Sequence, residues 1–381
     1  MSRFLTLLSI LLVFAAPCAH AAVVEQTPAK QAIMIDFDTG MVLFEKNPDQ
    51  KMPTSSMSKV ITAYLVFEAL KDKKLALSDE FTVSEKAWRM QGSKMFVDVN
   101  KKISVENLLR GVIVQSGNDA TIVLAEGIGG TEDEFARALT KKAKELGMNN
   151  SNFVNASGWP DPNHYSTARD LAILGYSLIK NFPEYYSFYS EKEFSYNGIK
   201  QENRNPLLYR DMGADGIKTG HTEDGGYGLI GSGVRDSRRV ILVVNGLADD
   251  KERAAESARL LEWGLSGFEN HKLFGAGEAA GTAAVVMGQS ATVDMVSADD
   301  IKVTVPKLAR NDLKVDIKYN EPLVAPIQKG QEIGVAQIHI PQGATIEIPL
   351  LAAQDVQKLG FLPGMLAKAK LKLLPSRGTG G

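Results

Sequence analysis

A serine and a lysine three residues apart, Ser56 and Lys59, form a pair whose types and spacing suit catalysis. They stand at the start of an apolar-periodic segment, residues 56–70, that predicts a helix, and residues three apart share one helix face. A serine hydroxyl is a poor nucleophile until a base takes its proton, and a desolvated lysine amine can be that base. An isolated Ser-x-x-Lys spacing also fits a helix-capping serine followed by a solvated lysine. The pair therefore needs support from elsewhere in the chain.

Two later fragments supply that support. Ser116 and Asn118, separated by Gly117, interrupt two helical segments and offer a hydroxyl and an amide. Lys218 and Thr219, which are followed by a glycine, place a cation and a hydroxyl on a predicted strand. The set Ser-x-x-Lys, Ser-Asp-Asn and Lys-Thr-Gly is shared by penicillin-binding proteins and class A β-lactamases. Three such fragments in this order make coincidence a poor explanation.

The sequence resembles the low-molecular-mass penicillin-binding proteins that are serine-type D-alanyl-D-alanine carboxypeptidases. Gly117 favours this branch, because class A β-lactamases have aspartate at that place. The resemblance covers residues 30–265 throughout, and it extends to the layout of the chain beyond them. The segments that carry it are 53–59, 93–96, 115–120, 215–222 and 255–257.

The resemblance implies a catalytic role for three residues. Ser56 would attack the carbonyl between the last two D-alanines of a peptidoglycan pentapeptide and form an acyl-enzyme. Lys59, made neutral by burial and by neighbouring positive charge, would take the proton of Ser56. Ser116 would relay a proton to the leaving D-alanine. The residues expected to bind the substrate are Asn118, Lys218, Thr219, Gly220, His221, Arg204 and Arg253.

These substrate-binding residues have different expected tasks. Asn118 would hold the substrate amide, and Lys218 and Thr219 would face the substrate from a strand edge. Lys218 would tune the electrostatic field there, and Thr219 would bind the substrate carboxylate. Backbone N–H groups of Ser56 and His221 would hold the oxyanion, which requires no particular side chain at position 221. Two arginines, Arg204 and Arg253, stand where the family has arginines near the substrate carboxylate, although a surface salt bridge fits each of them as well.

Other kinds of chemistry have little support in the sequence. His164 and His221 with Asp161 could compose a Ser-His-Asp triad, but no Gly-x-Ser-x-Gly surrounds a serine. Five histidines, without a His-x-x-x-His pair, predict no metal site. We expect no cofactor, because the nucleophile, the base and the oxyanion donors all come from the chain. The net charge of −2 gives no reason to expect a nucleic-acid partner.

The elements that must position these residues predict an α+β fold. We expect a β-lactamase/transpeptidase-like catalytic domain, made of an antiparallel sheet and a helical block, and then a small C-terminal all-β domain. Residues 32–37 and 41–45 predict a hairpin. Residues 81–103 show no clear period, and within them residues 91–96 predict a loop. Helices are predicted over 104–115, 119–126, 131–147, 167–180 and 249–264, and strands over 214–219, 227–234 and 240–247. Strands of the C-terminal domain are predicted at 285–287, 293–296, 301–305, 315–319, 333–335 and 346–348.

The two ends of the chain differ from the rest. Residues 1–21 have a positive residue, a short apolar segment and an Ala-x-Ala site, which are typical of a secretory signal peptide. Residues 354–381 combine an apolar stripe with an excess of basic residues, which predicts an amphipathic helix on a membrane surface. A helix docked on its own protein is the alternative for this tail. The catalytic domain would then span 22–267 and the β domain 268–353.

We therefore expect an exported protein of the periplasm that is attached peripherally to the inner membrane. The expected partners are peptidoglycan stem peptides and β-lactam antibiotics, which would acylate Ser56. A β-lactamase of the same fold is one alternative, and it would turn over penicillin without releasing D-alanine. A non-catalytic peptidoglycan-binding scaffold is another, although the three intact motifs argue against it.

Overall fold

The protein, represented by a computed structural model, is described over residues 26–341 and 343–360. It forms two compact units. The described part of the larger unit comprises residues 26–271 and 302–308, and that of the smaller unit comprises residues 272–301, 309–341 and 343–360. The predicted signal peptide and residues 361–381 of the predicted tail lie outside the described residues.

The larger unit combines helices with strands, and the predicted α+β fold class is confirmed. The helices of its described residues are α1 (Lys59–Lys71), α2 (Glu85–Arg89), α3 (Val105–Ile113), α4 (Asn118–Gly129), α5 (Glu132–Glu145), α6 (Ala168–Asn181) and α7 (Asp250–Gly267). The strands up to α7 are β1 (Gln31–Asp36), β2 (Val42–Lys46), β3 (Glu80–Thr82), β4 (Lys102–Ser104), β5 (Glu193–Tyr196), β6 (Ile199–Glu202), β7 (Ala214–Thr222), β8 (Gly226–Arg235) and β9 (Arg238–Leu247).

A five-stranded antiparallel sheet of order β2-β1-β9-β8-β7 forms the centre of the larger unit. Successive side chains of a strand point to opposite faces of a sheet. All six residues of β1 are buried, so both faces of the sheet are covered there. Ile33 and Ile35 face a core shared with helices α1 and α3–α6, while Ala32 and Met34 face a second core with α7. Each fully buried isoleucine stabilises the fold by roughly 1.5–3 kcal/mol relative to an exposed one. The predicted hairpin is confirmed by the pairing of β1 with β2.

One expectation about local structure was wrong, and one segment without a periodic signal contains regular structure. Ser56 does not begin α1, because Ser55–Ser58 form a 3-10 turn and α1 starts at Lys59. Ser55 has a φ of 51°, which an α-helix does not allow. Residues 81–103 contain α2 and the paired strands β3 and β4, whose three to five residues are too short to give a periodic signal.

The strands that follow α7 are β10 (Phe268–Phe274), β11 (Ala279–Val286), β12 (Thr292–Val296), β13 (Ile301–Pro306), β14 (Lys314–Lys318), β15 (Leu323–Val324), β16 (Glu332–His339) and β17 (Thr345–Ala352). Six of them form one sheet of order β14-β16-β17-β12-β11-β15. Its core includes Val293, Met295 and Leu350. The strand predicted at 301–305 does not belong to this sheet, because β13 pairs with β10.

No helix in the described part of the chain is long and apolar enough to cross a membrane.

Candidate active site

Ser56 and Lys59 meet at the start of α1. Ser56 is half-buried in the 3-10 turn, and Lys59 Nζ lies 2.9 Å from Ser56 Oγ. Lys59 is only 1% exposed. Burial, followed by the positive charge of Arg204, lowers the pKa of Lys59 from 10.5 to about 7, against an opposing effect of Asp119. Lys59 is thus a buried amine with a lowered pKa, as the role of a base requires.

Lys59 Nζ has two further hydrogen-bond acceptors. It donates to Asn118 Oδ1 at 2.7 Å and to the carbonyl oxygen of Ser157 at 2.7 Å. Asn118 is the first residue of α4, and its Nδ2 donates to the carbonyl of Gln91 at 2.8 Å, which fixes the amide with Oδ1 towards the lysine. Ser157 contributes only its backbone here, so no side-chain motif could have revealed it.

The loop that carries Gln91 is held by Asp119. The buried carboxylate of Asp119 accepts the backbone N–H groups of Met95, Phe96 and Val97 at 2.9, 2.9 and 3.2 Å. Hydrogen bonds to a carboxylate are stronger than neutral ones. Asp119 directly follows the Ser-Gly-Asn fragment but was not among the residues predicted for the site.

Ser116 and Gly117 form the turn between α3 and α4. Ser116 is buried and has a φ of 58°. A Cβ on residue 117 would lie 2.8 Å from Asp119 Oδ1 and 3.1 Å from the backbone nitrogen of Met95. A side chain at position 117 would therefore require the carboxylate of Asp119 and the backbone of Met95 to shift.

Strand β7 brings Lys218, Thr219 and Gly220 against the serine turn. A Cβ on Gly220 would lie only 2.9 Å from the carbonyl oxygen of Thr54, so the strand and the turn are in direct contact. Lys218 is 3% exposed, and its Nζ donates to the carbonyl of Thr219 at 3.2 Å. Burial, with smaller effects from the charges of nearby cations, holds the pKa of Lys218 well below its usual range. Those cations are Lys59, Arg204 and Arg253.

The two arginines occupy different environments. Arg204 is exposed, and its guanidinium donates to the hydroxyl of Ser93. Arg253 is 6% exposed, lies over the ring of Tyr227 and pairs with the exposed Asp250, so its guanidinium is buried although its ion-pair partner is at the surface. With the two lysines they create a positive region, which suits an anionic ligand. The ring of His221, at the end of β7, is exposed and lies 3.9 Å from that of Tyr227 between centroids.

His164 does not form a triad with Ser56. It is 4% exposed, and its Nε2 lies 2.8 Å from the hydroxyl of Ser58. No cluster of three His, Cys, Asp or Glu side chains that could hold a metal ion is present within residues 26–341 and 343–360.

Two known protein families match this chain. The family model described as D-alanyl-D-alanine carboxypeptidase matches residues 18–248. The chain belongs to this family. A second family model, the penicillin-binding protein 5 C-terminal domain, matches residues 268–358. The function and the resemblance inferred from the motifs are confirmed, and the protein is a serine-type D-alanyl-D-alanine carboxypeptidase.

Individual relatives span nearly the whole chain. The D-alanyl-D-alanine carboxypeptidase DacA of Haemophilus influenzae is 40% identical over 342 residues, which is 88% of this chain and 87% of that protein. The crystal structure of penicillin binding protein 5 from Haemophilus influenzae is 39% identical, with a TM-score of 0.79 over 87% of this chain and 98% of that one. Penicillin-binding protein D2 from Listeria monocytogenes, in its ampicillin-bound form, is 32% identical, with a TM-score of 0.58 over 63% of this chain and 98% of that one.

Proposed function

We propose that Ser56 is the nucleophile of this carboxypeptidase and that Lys59 is the base that takes its proton. The observation that carries the proposal is the 2.9 Å hydrogen bond between Lys59 Nζ and Ser56 Oγ, made by an amine whose pKa is lowered to about 7. An amine with that pKa is neutral in about half of the molecules at pH 7. A large fraction of the enzyme is therefore ready to accept the proton of Ser56.

The two other partners of Lys59 direct this proton transfer. A neutral amine has two N–H groups and one lone pair, whereas the carbonyl oxygens of Asn118 and Ser157 can only accept. The two N–H groups of neutral Lys59 are therefore used on these oxygens. The lone pair is left directed at Ser56 Oγ, so Lys59 can act as a base without changing its position.

The reaction then proceeds through an acyl-enzyme. Ser56 Oγ attacks the carbonyl carbon between the two terminal D-alanines, and the oxyanion receives hydrogen bonds from the backbone N–H groups of residues 56 and 221. Loss of one such donor typically raises the activation barrier by roughly 3 kcal/mol. Ser116 relays the proton to the nitrogen of the departing D-alanine. Water then hydrolyses the ester on Ser56 and restores the free enzyme.

Substrate binding relies on the positive region around β7. Lys218 and Thr219 bind the terminal carboxylate of the stem peptide, and the amide of Asn118 holds the preceding peptide bond. Gly220 allows the strand edge and residue 221 to approach the substrate. Arg204 and Arg253 supply further positive charge, a role supported by their effect on the pKa of Lys218.

The same serine would accept β-lactam antibiotics. A β-lactam presents a strained amide beside a carboxylate, so it suits the same nucleophile and the same cations. The ampicillin-bound relative, penicillin-binding protein D2, supports this extension. The closed environment of Gly117 supports a carboxypeptidase site over that of a class A β-lactamase, which has aspartate there.

We further propose that the protein is exported to the periplasm and acts on peptidoglycan stem peptides at the outer face of the inner membrane. The signal-like residues 1–21 and the basic, apolar tail at 354–381 support this location. Attachment would be peripheral, through the tail.

Release of D-alanine tests the proposed roles. Purified protein should release D-alanine from a peptide that ends in D-Ala-D-Ala, and the Ser56→Ala variant should release none. Ser195→Ala, which changes an exposed serine on β5, is the matched control and should retain full activity. Release by Ser56→Ala at the unmodified rate would rule out Ser56 as the nucleophile.

A further inference from the structure

His164 is a buried, titratable side chain that the proposed mechanism does not use. Its Nε2 lies 2.8 Å from Ser58 Oγ, and Ser58 Oγ lies 2.5 Å from Thr54 Oγ1. We infer that His164 is a positioning residue that holds, through Ser58 and Thr54, the turn that presents Ser56 to Lys59. The inference rests on the proposed role of Ser56 as nucleophile.

The hydrogen bonds of His164 fix its tautomer. The backbone N–H of Val154 donates to His164 Nδ1 at 3.3 Å, so Nδ1 carries no proton. Nε2 then carries the proton and donates it to Ser58 Oγ. The hydroxyl of Ser58 is thereby free to donate to Thr54 Oγ1, and all three side chains are buried.

This chain of bonds acts on both ends of the serine turn. Thr54 precedes the 3-10 turn and Ser58 ends it, so Ser56 lies midway between two tethered residues. No side-chain cap closes either the 3-10 turn or the start of α1. On its other side the turn is held by β7, where Ser55 Oγ donates to Thr222 Oγ1 at 3.2 Å. His164 therefore supports the turn on the side that β7 does not hold, where no helix cap is present.

His164 stays uncharged at the pH where Lys59 works. Burial, together with the positive charge of Lys59 and against the negative charge of Asp161, lowers the pKa of His164 from 6.5 to about 4. An uncharged imidazole neither repels the Lys59 ammonium nor competes with Lys59 as a base. Its contribution is geometric, and a displacement of the reacting groups by about 1 Å can cost about 100-fold in rate.

Two substitutions of His164 separate its hydrogen bonds. His164→Asn keeps an acceptor near the position of Nδ1 for Val154 and loses the donor to Ser58, whereas His164→Gln keeps a donor near the position of Nε2. Ser58→Ala removes the same bond from the other side. His339→Asn is the matched control, because His339 is a half-buried histidine of the smaller unit that forms hydrogen bonds with a hydroxyl and a carboxylate.

The measurement is the rate constant of acylation by a fluorescent penicillin at saturation, together with the labelled fraction at the end point. His164→Asn and Ser58→Ala should each lower the rate constant by about 10- to 100-fold. The double variant that combines His164→Asn with Ser58→Ala should have a rate constant no lower than that of either single variant. His164→Gln should retain most of the rate constant of the unmodified protein. The dissociation constant of the initial complex and the final labelled fraction should not change. A partly unfolded protein would instead show a lower labelled fraction.

Mass spectrometry of the labelled proteins completes the test. A label on Ser56 with an unchanged acylation rate in His164→Asn would overturn the positioning role while leaving the nucleophile in place. A rate loss matched by a loss of the labelled fraction, or additive losses in the double variant, would overturn it as well. A label on a residue other than Ser56 in the unmodified protein would overturn the proposed nucleophile and this inference with it.

Discussion

Arg204 and Asp119 act on the amine of Lys59 with charges of opposite sign. The guanidinium of Arg204 lowers the pKa of Lys59, and the carboxylate of Asp119 raises it, while burial sets the larger part of the shift to about 7. The same two residues are linked through the loop that carries Ser93, because Arg204 contacts its hydroxyl and Asp119 holds the loop residues that follow. The protonation of the base and the shape of the site are therefore coupled.

The acid limb of the acylation rate should report the pKa of Lys59. Only neutral Lys59 can take the proton of Ser56, so the rate of acylation at saturation should fall as the pH drops through about 7. Arg204→Gln removes a charge that lowers this pKa, and the limb should move to higher pH. Asp119→Asn removes a charge that raises it, and the limb should move to lower pH.

Two remote substitutions serve as controls for these pH profiles. Arg169→Gln removes an arginine that is paired with Glu45 and Asp49, and Asp170→Asn removes a buried carboxylate bonded to Ser151. Neither should move the acid limb. Shifts of Arg204→Gln and Asp119→Asn in the same direction would contradict the account of Lys59.

Asn118 should be needed for acylation because it orients the base. Asn118→Leu removes the acceptor at 2.7 Å from Lys59 Nζ, so the lone pair of neutral Lys59 is no longer confined to Ser56. We expect the acylation rate to fall by roughly 100-fold or more. Stopped-flow measurement with a chromogenic β-lactam checks this value. Asn181→Leu is the control and should be acylated normally, because it removes only the hydrogen bond that Asn181 Nδ2, at the end of α6, donates to the hydroxyl of Tyr64.

Gly220 should tolerate no side chain. Gly220→Ala places a Cβ 2.9 Å from the carbonyl oxygen of Thr54, which would displace the turn that carries Ser56. The variant should lose acylation. Its free energy of unfolding, measured in urea, should be lower by about 1–3 kcal/mol. Gly267→Ala is the matched control at the end of α7, where the nearest atom would be 3.7 Å away. Equal stability and rate in Gly220→Ala would refute the close packing of β7 on the turn.

The position of Val356 determines where the tail can be removed. Val356 is buried in the core of the smaller unit and shares backbone hydrogen bonds with Ile327, so a truncation should begin after Gly360. A protein that ends at Gly360 should move from the membrane fraction to the soluble fraction with unchanged D-alanine release. Replacing Lys368, Lys370 and Lys372 with glutamine should weaken membrane binding, by about 1 kcal/mol per lysine on an anionic surface. A truncated protein that still sediments wholly with membranes would exclude the tail as the anchor.

Local sequence signals predicted most of the helices. The side chains of Ser104, Thr131, Thr167 and Asp249 each accept a backbone N–H in the first turn of a helix that the sequence predicted. The hairpins at β1–β2 and β5–β6 carry their turn signals within a few residues. Such features depend on neighbours in the chain, so the sequence alone is sufficient for them.

The rest of the site depends on contacts between distant segments. Gly158 has a φ of 80° and packs directly on the carbonyl of Ser55, a constraint that no local pattern around Ser55 reveals. The pairing of His164 with Ser58 and the hydrogen bond from Lys59 to the backbone of Ser157 likewise join residues about a hundred positions apart. The motifs predicted which side chains belong to the site, and the fold determines which backbone groups complete it.

Mass spectrometry of the penicillin adduct is the most direct test of the central role of Ser56 and Lys59. The protein should gain the mass of one penicillin, and peptide mapping should place it on Ser56. Lys59→Met should retain the fold but should form no adduct in the time that the unmodified enzyme needs to form one. An adduct on any other residue, or an adduct that forms at the same rate in Lys59→Met, would contradict the account.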